Sequence, residues 1–220
     1  MNVHRANSLN STVLMALLAA WLGLWGAWIG NDAVALRINS IDMAEWATFL
    51  TEVRTGNLHF VSDTLRLSVV LSLIALAVNA SEIRTTWLRW AVRVLAVIPA
   101  LILMPPYPFV LQLWWSESYS LRFIIAALGI IGAILSVLAD RFVTGRRLVT
   151  VTLTAASLGV SAWSFLTLQG PFAIRYAEPI RPGWGVLLFM FGLLMAVIFE
   201  VVAVIRGSIV REFNVTQATE

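Results

Sequence analysis

The chain has no cysteine and no lysine, and only two histidines, His4 and His59, occur among its 220 residues. Without cysteine it forms neither disulfides nor thiolate metal sites, and thiol redox chemistry is excluded. Charged residues make up only 12% of the chain and apolar residues 60%, whereas soluble domains contain roughly 25% charged residues. The composition therefore excludes an ordinary soluble domain and favours an integral membrane protein.

Motifs for catalysis and nucleic-acid binding are also missing. The sequence contains no P-loop, no HExxH motif and no GxSxG motif. Both histidines lie outside the apolar runs, which excludes a bis-histidine haem site between membrane helices. The net charge is +3, but the arginines lie at the ends of apolar runs and form no basic stripe for a nucleic acid. We predict a protein that is not an enzyme and has no cofactor, no metal site and no nucleic-acid partner.

What the chain does contain is six apolar runs, each close to the roughly 20 residues that a helix needs to cross a bilayer. The sequence predicts an all-α polytopic integral membrane protein, with residues 1–220 forming a single membrane domain. The six predicted transmembrane spans cover residues 12–29, 65–79, 94–115, 123–139, 148–168 and 184–205. Trp21, Trp25 and Trp28 recur at helical spacing in the first run, which favours a retained span over a cleaved signal peptide.

The distribution of arginine predicts the orientation. With the N-terminus inside, nine arginines fall in cytoplasmic segments and six in outer segments. By the positive-inside rule, both termini are expected in the cytoplasm of a multi-pass cell-membrane protein. Arg66, Arg122 and Arg181 each open an even-numbered span, at intervals of 56 and 59 residues. This spacing suggests three repeated helical hairpins, and the alternative is coincidence, because membrane helices commonly begin at arginine.

The longest polar segment contains the signals of one helix, over residues 41–54. Ser40 is a candidate N-cap, Arg54 suits the negative end of the helix, and Gly56 can terminate it. One face is apolar, formed by Met43, Trp46, Ala47, Leu50 and Val53. We expect an amphipathic interfacial helix on the outer membrane surface, with a gate or a docking site for a partner as the alternative.

Prolines set the third span apart from the others. Pro99, Pro105, Pro106 and Pro108 fall inside residues 94–115, and each removes an N–H that would bond the carbonyl four residues earlier. If the helix breaks at lipid depth, the freed carbonyls must face protein or a water-filled cavity, as at transporter sites. The alternative is a helix that begins near Trp87, crosses by Met104 and continues as an outer interfacial segment.

Four polar residues form a candidate intramembrane site. Glu200 lies inside the last apolar run, and Asn79 and Glu82 end the second span on the same side. The candidate counter-ions are Arg84, Arg93 and Arg147, and Arg93 is the fourth residue of the candidate site. Because a buried charge in lipid is costly, an intramembrane acid is a candidate functional residue. One interpretation is a proton or cation relay, and the other is a structural ion pair near the cytoplasmic interface.

Small and hydroxyl residues indicate close packing of helices. They are concentrated in the fifth span, and small residues also recur four apart at Gly26 and Gly30 and at Gly132 and Ser136. Since packing signals outnumber site signals, we predict a non-enzymatic membrane subunit that packs within a larger assembly. Its expected partners are the lipid bilayer and other membrane subunits or further copies of the chain. The alternative is a small-solute or ion transporter with a site at the proline-broken third span.

Overall fold

The computed structural model describes residues 3–30, 37–56, 58, 60–112, 115–116, 119–141 and 143–218, so His59 lies outside the described residues. The α-helices are α1 (Val3–Trp25), α2 (Ser40–Ala47), α3 (Thr51–Arg54), α4 (Val61–Asn79), α5 (Thr86–Ile102), α6 (Phe109–Gln112), α7 (Ser120–Leu135), α8 (Val143–Tyr176) and α9 (Trp184–Ala218). Two 3₁₀ turns, Ala80–Glu82 and Ser136–Arg141, follow α4 and α7. Short antiparallel strands β1 (Ile29–Gly30) and β2 (Arg181–Pro182) are the other regular elements described. The prediction of an all-α chain is confirmed.

Among the described residues, four helices are long and apolar enough to cross a membrane. They cover Val61–Glu82, Ser120–Arg141, Gly145–Tyr176 and Trp184–Ile205, which correspond to the second, fourth, fifth and sixth predicted spans. The apolar part of α1 is shorter, Ser11–Trp25, and α5 has 17 residues. The chain is therefore a helical membrane protein with four candidate spans by length and composition, and these criteria do not establish six.

The third predicted span differs from the structure in its bounds. The helix there is α5, which begins at Thr86 and ends at Ile102 instead of covering residues 94–115. It ends because Pro105 and Pro106 have no N–H for the carbonyls of Leu101 and Ile102. Pro99 lies inside α5, whereas Pro108 follows a cis peptide bond and directly precedes α6. The alternative interpretation, a helix that begins near Trp87 and crosses by Met104, matches the bounds of α5.

The predicted interfacial helix 41–54 consists of two helices, α2 and α3. The N-cap of α2 is Asn39 and not Ser40, because the Asn39 side-chain oxygen accepts the N–H groups of Ile41 and Asp42, both at 2.9 Å. The Ser40 hydroxyl instead donates to the carbonyl of Leu24 in α1. Gly56 follows α3 with φ 91°, a conformation that favours glycine.

The apolar face of α2 packs on protein. Met43, Ala44 and Ala47 are fully buried, and α2 contacts α4 and α1. The prediction that this face lies against the membrane surface therefore differs from the structure at those residues. Trp46 is 50% exposed and contacts the exposed Phe49 edge to face, so these two rings are the large apolar side chains of α2 and its following turn that are open to lipid or solvent.

The bundle is centred on α4. In its apolar stretch 72% of the residues are buried, compared with 28% in α7 and 33% in each of α8 and α9. This helix contacts α1, α5, α7 and α8, while α1 packs mainly on α9. The centre of the bundle is therefore the second predicted span.

Glycine brings the backbones of α1 and α9 together. A Cβ added at Gly192 would lie 2.6 Å from the carbonyl oxygen of Ala16, and one added at Gly26 would lie 2.7 Å from the Cα of Gly185. Beyond these contacts, the Gly185 N–H donates to the Ala27 carbonyl at 2.8 Å. The close approach predicted at Gly26 is therefore present, and it is made to α9.

Candidate functional site

Polar side chains gather at two opposite ends of the bundle, which we name by their contents. The α2 end holds α2, α3 and the strand pair, because Ser40 bonds Leu24 near the end of α1 and β1 pairs with β2. The Glu82 end holds the two 3₁₀ turns. Helices α4 and α7 run from the α2 end to the Glu82 end.

At the α2 end, Glu45 joins three helices. Arg66 of α4 is only 3% exposed, and its guanidinium lies 3.3 Å from Glu45 and 2.8 Å from Asp63. Arg122 of α7 lies 2.7 Å from the same Glu45 carboxylate, which belongs to α2. Two arginines and two acids therefore neutralise one another at this end, and the Ser62 hydroxyl accepts a further hydrogen bond from Arg66.

Protein groups satisfy carbonyls that the α5 prolines leave free. Pro99 removes the helical donor for Leu95, and the indole N–H of Trp21 in α1 donates to that carbonyl at 2.9 Å. Past the last turn of α5, Arg122 donates to the carbonyls of Leu103 and Met104 at 3.0 and 3.3 Å. The helix break at Pro105, Pro106 and Pro108 is therefore an end of α5 that Arg122 caps.

At the Glu82 end, three of the predicted site residues meet α8. The Asn79 amide donates to the Thr150 hydroxyl at 2.9 Å, and the Glu82 carboxylate forms an ion pair with Arg146. Glu200 of α9 is 5% exposed and interacts electrostatically with Arg147, Arg146 and Glu82. Asn79, Glu82 and Glu200 are thus brought together by the first turns of α8.

Arg93, the fourth predicted residue, belongs to a separate group. Its guanidinium lies 2.8 Å from Asp140 and 3.3 Å from the carbonyl of Ser136, both in the turn after α7. Arg89 approaches the same Asp140 carboxylate at 3.4 Å, and the Trp90 ring lies 5.3 Å from the Arg93 guanidinium carbon. Arg93 therefore connects α5 to α7 and is not the counter-ion of Glu200.

A seam of hydroxyl groups joins the two ends along the α4–α8 contact. Its α8 residues are all fully buried: Thr150, Thr154, Ser157, Ser161 and Ser164. Across the seam, the Ser157 hydroxyl donates to the Ser68 carbonyl at 2.7 Å, and the Thr64 and Ser164 hydroxyls lie 2.9 Å apart. The other hydroxyls in this region, such as those of Ser161 and Ser72, donate to carbonyls of their own helices. The close packing predicted for the fifth span is therefore present on the face of α8 that contacts α4.

The arginines that suggested repeated hairpins occupy different environments. Arg66 and Arg122 converge on Glu45, whereas Arg181 is an exposed residue of β2. Their even spacing in the sequence does not place them at equivalent positions.

The predicted site residues do not line the cavity at the α2 end. This cavity has a volume of about 500 Å³ and lies where α1 and α9 meet the strand pair, lined in part by Ala27, Arg37, Glu178 and Trp184. Within the described ranges, no three His, Asp or Glu side chains are grouped so that they could hold a metal ion.

Several residues of these clusters could not be singled out from the sequence. The Asp63–Arg66 pair is local, at a spacing of three, so helical periodicity could have identified it. Glu45 and Arg146 instead have partners 77 and 64 residues away. Only the packing of the helices reveals such pairs.

Comparison of the chain with protein-family models, with curated proteins and with solved structures finds no match.

Proposed function

We propose that this chain is a non-enzymatic scaffold subunit of a larger membrane assembly. The observation that supports this most directly is the pairing of its buried charges with one another. Arg66 pairs with Glu45 and Asp63, Arg93 with Asp140, and Arg146 with Glu82. Such pairs between helices fix the bundle and leave these cations and acids engaged within the chain.

We further propose that α1 and α5 also cross the membrane, which makes six crossings. Helix α5 runs beside α7, because Arg89 in its first turn meets Asp140 and Leu103, directly after its last residue, meets Arg122. Seventeen residues correspond to about 26 Å at 1.5 Å per residue, close to the roughly 30 Å of the hydrocarbon core. Helix α1 packs along α9, a candidate span, from Ala16 to Ala27.

Charge supports a cytoplasmic location for the Glu82 end. Around this end the described side chains include three acids, Glu82, Asp140 and Glu200. They include six arginines, namely Arg84, Arg89, Arg93, Arg141, Arg146 and Arg147. The positive-inside rule counts basic residues. With Arg5, Arg206 and Arg211 of the two terminal segments, nine arginines fall on this side in the proposed topology and six on the other, so we propose that this end lies in the cytoplasm together with both termini.

The exposed face of α7 is the surface that we assign to a protein partner. Ile124, Leu128, Ile131 and Leu135 are exposed on one side of this helix, at spacings of four, three and four. Of the four candidate spans, α7 is the least buried within the chain. A membrane subunit that packs against this face would complete the burial of α7.

Photocrosslinking in the native membrane tests the scaffold role. A photoreactive amino acid at Leu128 or Ile131 is expected to give a protein adduct of defined higher mass. The matched control is Ala126, which lies on the same helix and is fully buried, and which should give no such adduct. If neither exposed position captures a protein, and the chain elutes from mild detergent as a single copy, the scaffold proposal fails.

Transport is the second candidate function, and Glu200 is the observation that favours it. Its carboxylate is buried where α8 and α9 meet, close to Arg146, Arg147 and Glu82. A proton relay would need this acid to change its charge, so Glu200→Gln should abolish proton flux in reconstituted vesicles while Gly159→Ala leaves it intact. Equal flux with and without the wild-type chain in the vesicles contradicts transport of protons.

A further inference from the structure

The start of α5 presents an arginine patch, which we define as Arg84, Arg89 and Arg141. Arg84 follows Ile83 in the loop before α5, and the Ile83 carbonyl accepts two hydrogen bonds from Arg89, at 3.1 and 2.8 Å. Arg141 directly follows Asp140, which Arg89 approaches at 3.4 Å. The patch therefore includes residues from the α4–α5 connection, from the first turn of α5 and from the turn that follows α7.

Positive charge in this patch exceeds the nearby negative charge. The adjacent acid, Asp140, is already paired with the buried Arg93 at 2.8 Å. With Arg93 included, this region holds four arginines and one carboxylate, a net charge of +3. Arg84 and Arg141 are exposed and Arg89 is partly exposed, so all three side chains are accessible at the surface.

The first turn of α5 adds hydrogen-bond donors. It contains no acidic residue, and the side chain of the N-cap residue Thr85 makes no capping hydrogen bond. The N–H groups of a first helical turn favour an anion, and arginine matches the oxygen geometry of a phosphate. The chemistry of the patch therefore suits a phosphate group.

An apolar stripe on α5 begins at the end of the helix that carries the patch, and it distinguishes a lipid from a free phosphate. Its exposed residues recur at helical spacing: Trp87, Trp90, Val94, Ile98 and Leu101. The two tryptophans lie nearest the patch, where indole rings suit the headgroup level of a membrane. An acyl chain extending from a phosphate in the patch can follow the rest of the stripe.

We propose that the arginine patch binds the phosphate of an anionic phospholipid whose acyl chains lie along the α5 stripe. This site goes beyond the scaffold role, and it exists whether or not another protein packs on α7. Because each arginine near an anionic lipid surface contributes about a fivefold preference, the patch should select anionic lipids over zwitterionic ones.

Native mass spectrometry tests this site on the full chain in mild detergent. With phosphatidylglycerol and phosphatidylcholine supplied at equal concentrations, the wild-type chain should retain phosphatidylglycerol preferentially. Arg89→Gln should lower that preference about fivefold, and R84Q/R89Q/R141Q should abolish it. Arg89→Lys, which keeps the charge, should retain most of it. A matched triple variant at the α2 end, R54Q/R175Q/R181Q, should bind as the wild type does.

Two results would overturn the proposal. One is equal retention of the two lipids by the wild-type chain, and the other is unchanged selectivity in the triple patch variant. Helix content by circular dichroism identifies a variant that fails to fold, in which case Arg89→Gln alone decides. If 10 mM inorganic phosphate displaces no lipid, the acyl chains contribute to binding as proposed. If the chain binds inorganic phosphate and shows no preference between the two lipids, a lipid site is contradicted.

Discussion

Among single residues, Glu45 has the widest effect on the fold, because it is the shared partner of two arginines. If Glu45 is removed, Arg66 still has an ion pair with Asp63 at 2.8 Å. Arg122, in contrast, loses the carboxylate that lies 2.7 Å away. We expect Glu45→Ala to lower the free energy of unfolding by about 2 kcal/mol, below the cost of breaking a fully buried pair because Glu45 is 41% exposed. Titration with SDS in mild detergent measures this value.

The control for Glu45 lies on the same helix. Asp42 is exposed, so Asp42→Asn should change the free energy of unfolding by only about 0.5 kcal/mol or less. Equal effects of the two substitutions would show that Glu45 does not anchor α2 to α4 and α7.

A second prediction concerns the carbonyl that Pro99 leaves free. Trp21→Phe removes the indole N–H that bonds the Leu95 carbonyl and should cost about 1–3 kcal/mol, the cost of an unsatisfied buried acceptor. In a Pro99→Ala background the new backbone N–H can bond Leu95, so Trp21→Phe should cost clearly less. A double-mutant cycle of unfolding free energies measures the difference, and additive effects would contradict the assignment.

For whole elements, the contact between α1 and α9 depends on glycine. A Cβ at Gly192 would lie 2.6 Å from the Ala16 carbonyl oxygen and 2.7 Å from the Ala20 nitrogen, so the two backbones would have to separate. Gly192→Ala should therefore destabilise the protein by about 1–3 kcal/mol, the usual cost of overpacking.

The matched control is Gly159 in α8, where an added Cβ meets no atom within 4 Å. Gly159→Ala should be neutral or stabilise the helix by up to about 1 kcal/mol, because alanine has the higher helix propensity. The two substitutions make the same chemical change. If Gly192→Ala and Gly159→Ala lower the free energy of unfolding equally, α1 and α9 do not pack closely at Gly192.

The elements also show how far the sequence could predict this fold. Apolar runs predicted the helices because hydropathy and length are local properties, and Pro105 and Pro106 marked a helix end because proline lacks an N–H. The same prolines could not show which groups satisfy the carbonyls after α5, since the donor is Arg122 in another helix. Ser40 resembled an N-cap in the sequence, but its neighbour Asn39 caps α2.

The candidate site was less predictable than the helices. Asn79, Glu82 and Glu200 were found because polar residues stand out in apolar runs, and they do converge at the start of α8. Their cationic neighbour Arg146 and the pairing of Arg93 with Asp140 were not predicted, because residues from different helices leave no spacing in the sequence. Helix packing alone decides which arginine meets which acid.

For the whole molecule, we propose a six-crossing bundle with its Glu82 end in the cytoplasm. The lack of cysteine allows this topology to be measured directly, because each single cysteine introduced is the sole target of a thiol reagent. The most informative pair lies on either side of α5, one of the two crossings proposed beyond the four candidate spans: Thr85 before it and the exposed Tyr107 after it. Ser8 reports on the N-terminal segment and Thr55 on the region after α3.

The measurement is labelling of these four single-cysteine variants in intact cells with a membrane-impermeant maleimide, before and after permeabilisation. In the six-crossing topology we expect Thr55→Cys and Tyr107→Cys to be labelled in intact cells. Ser8→Cys and Thr85→Cys should be labelled only after permeabilisation. If Thr85→Cys and Tyr107→Cys are labelled from the same side, α5 does not cross the membrane, and the six-crossing bundle is contradicted.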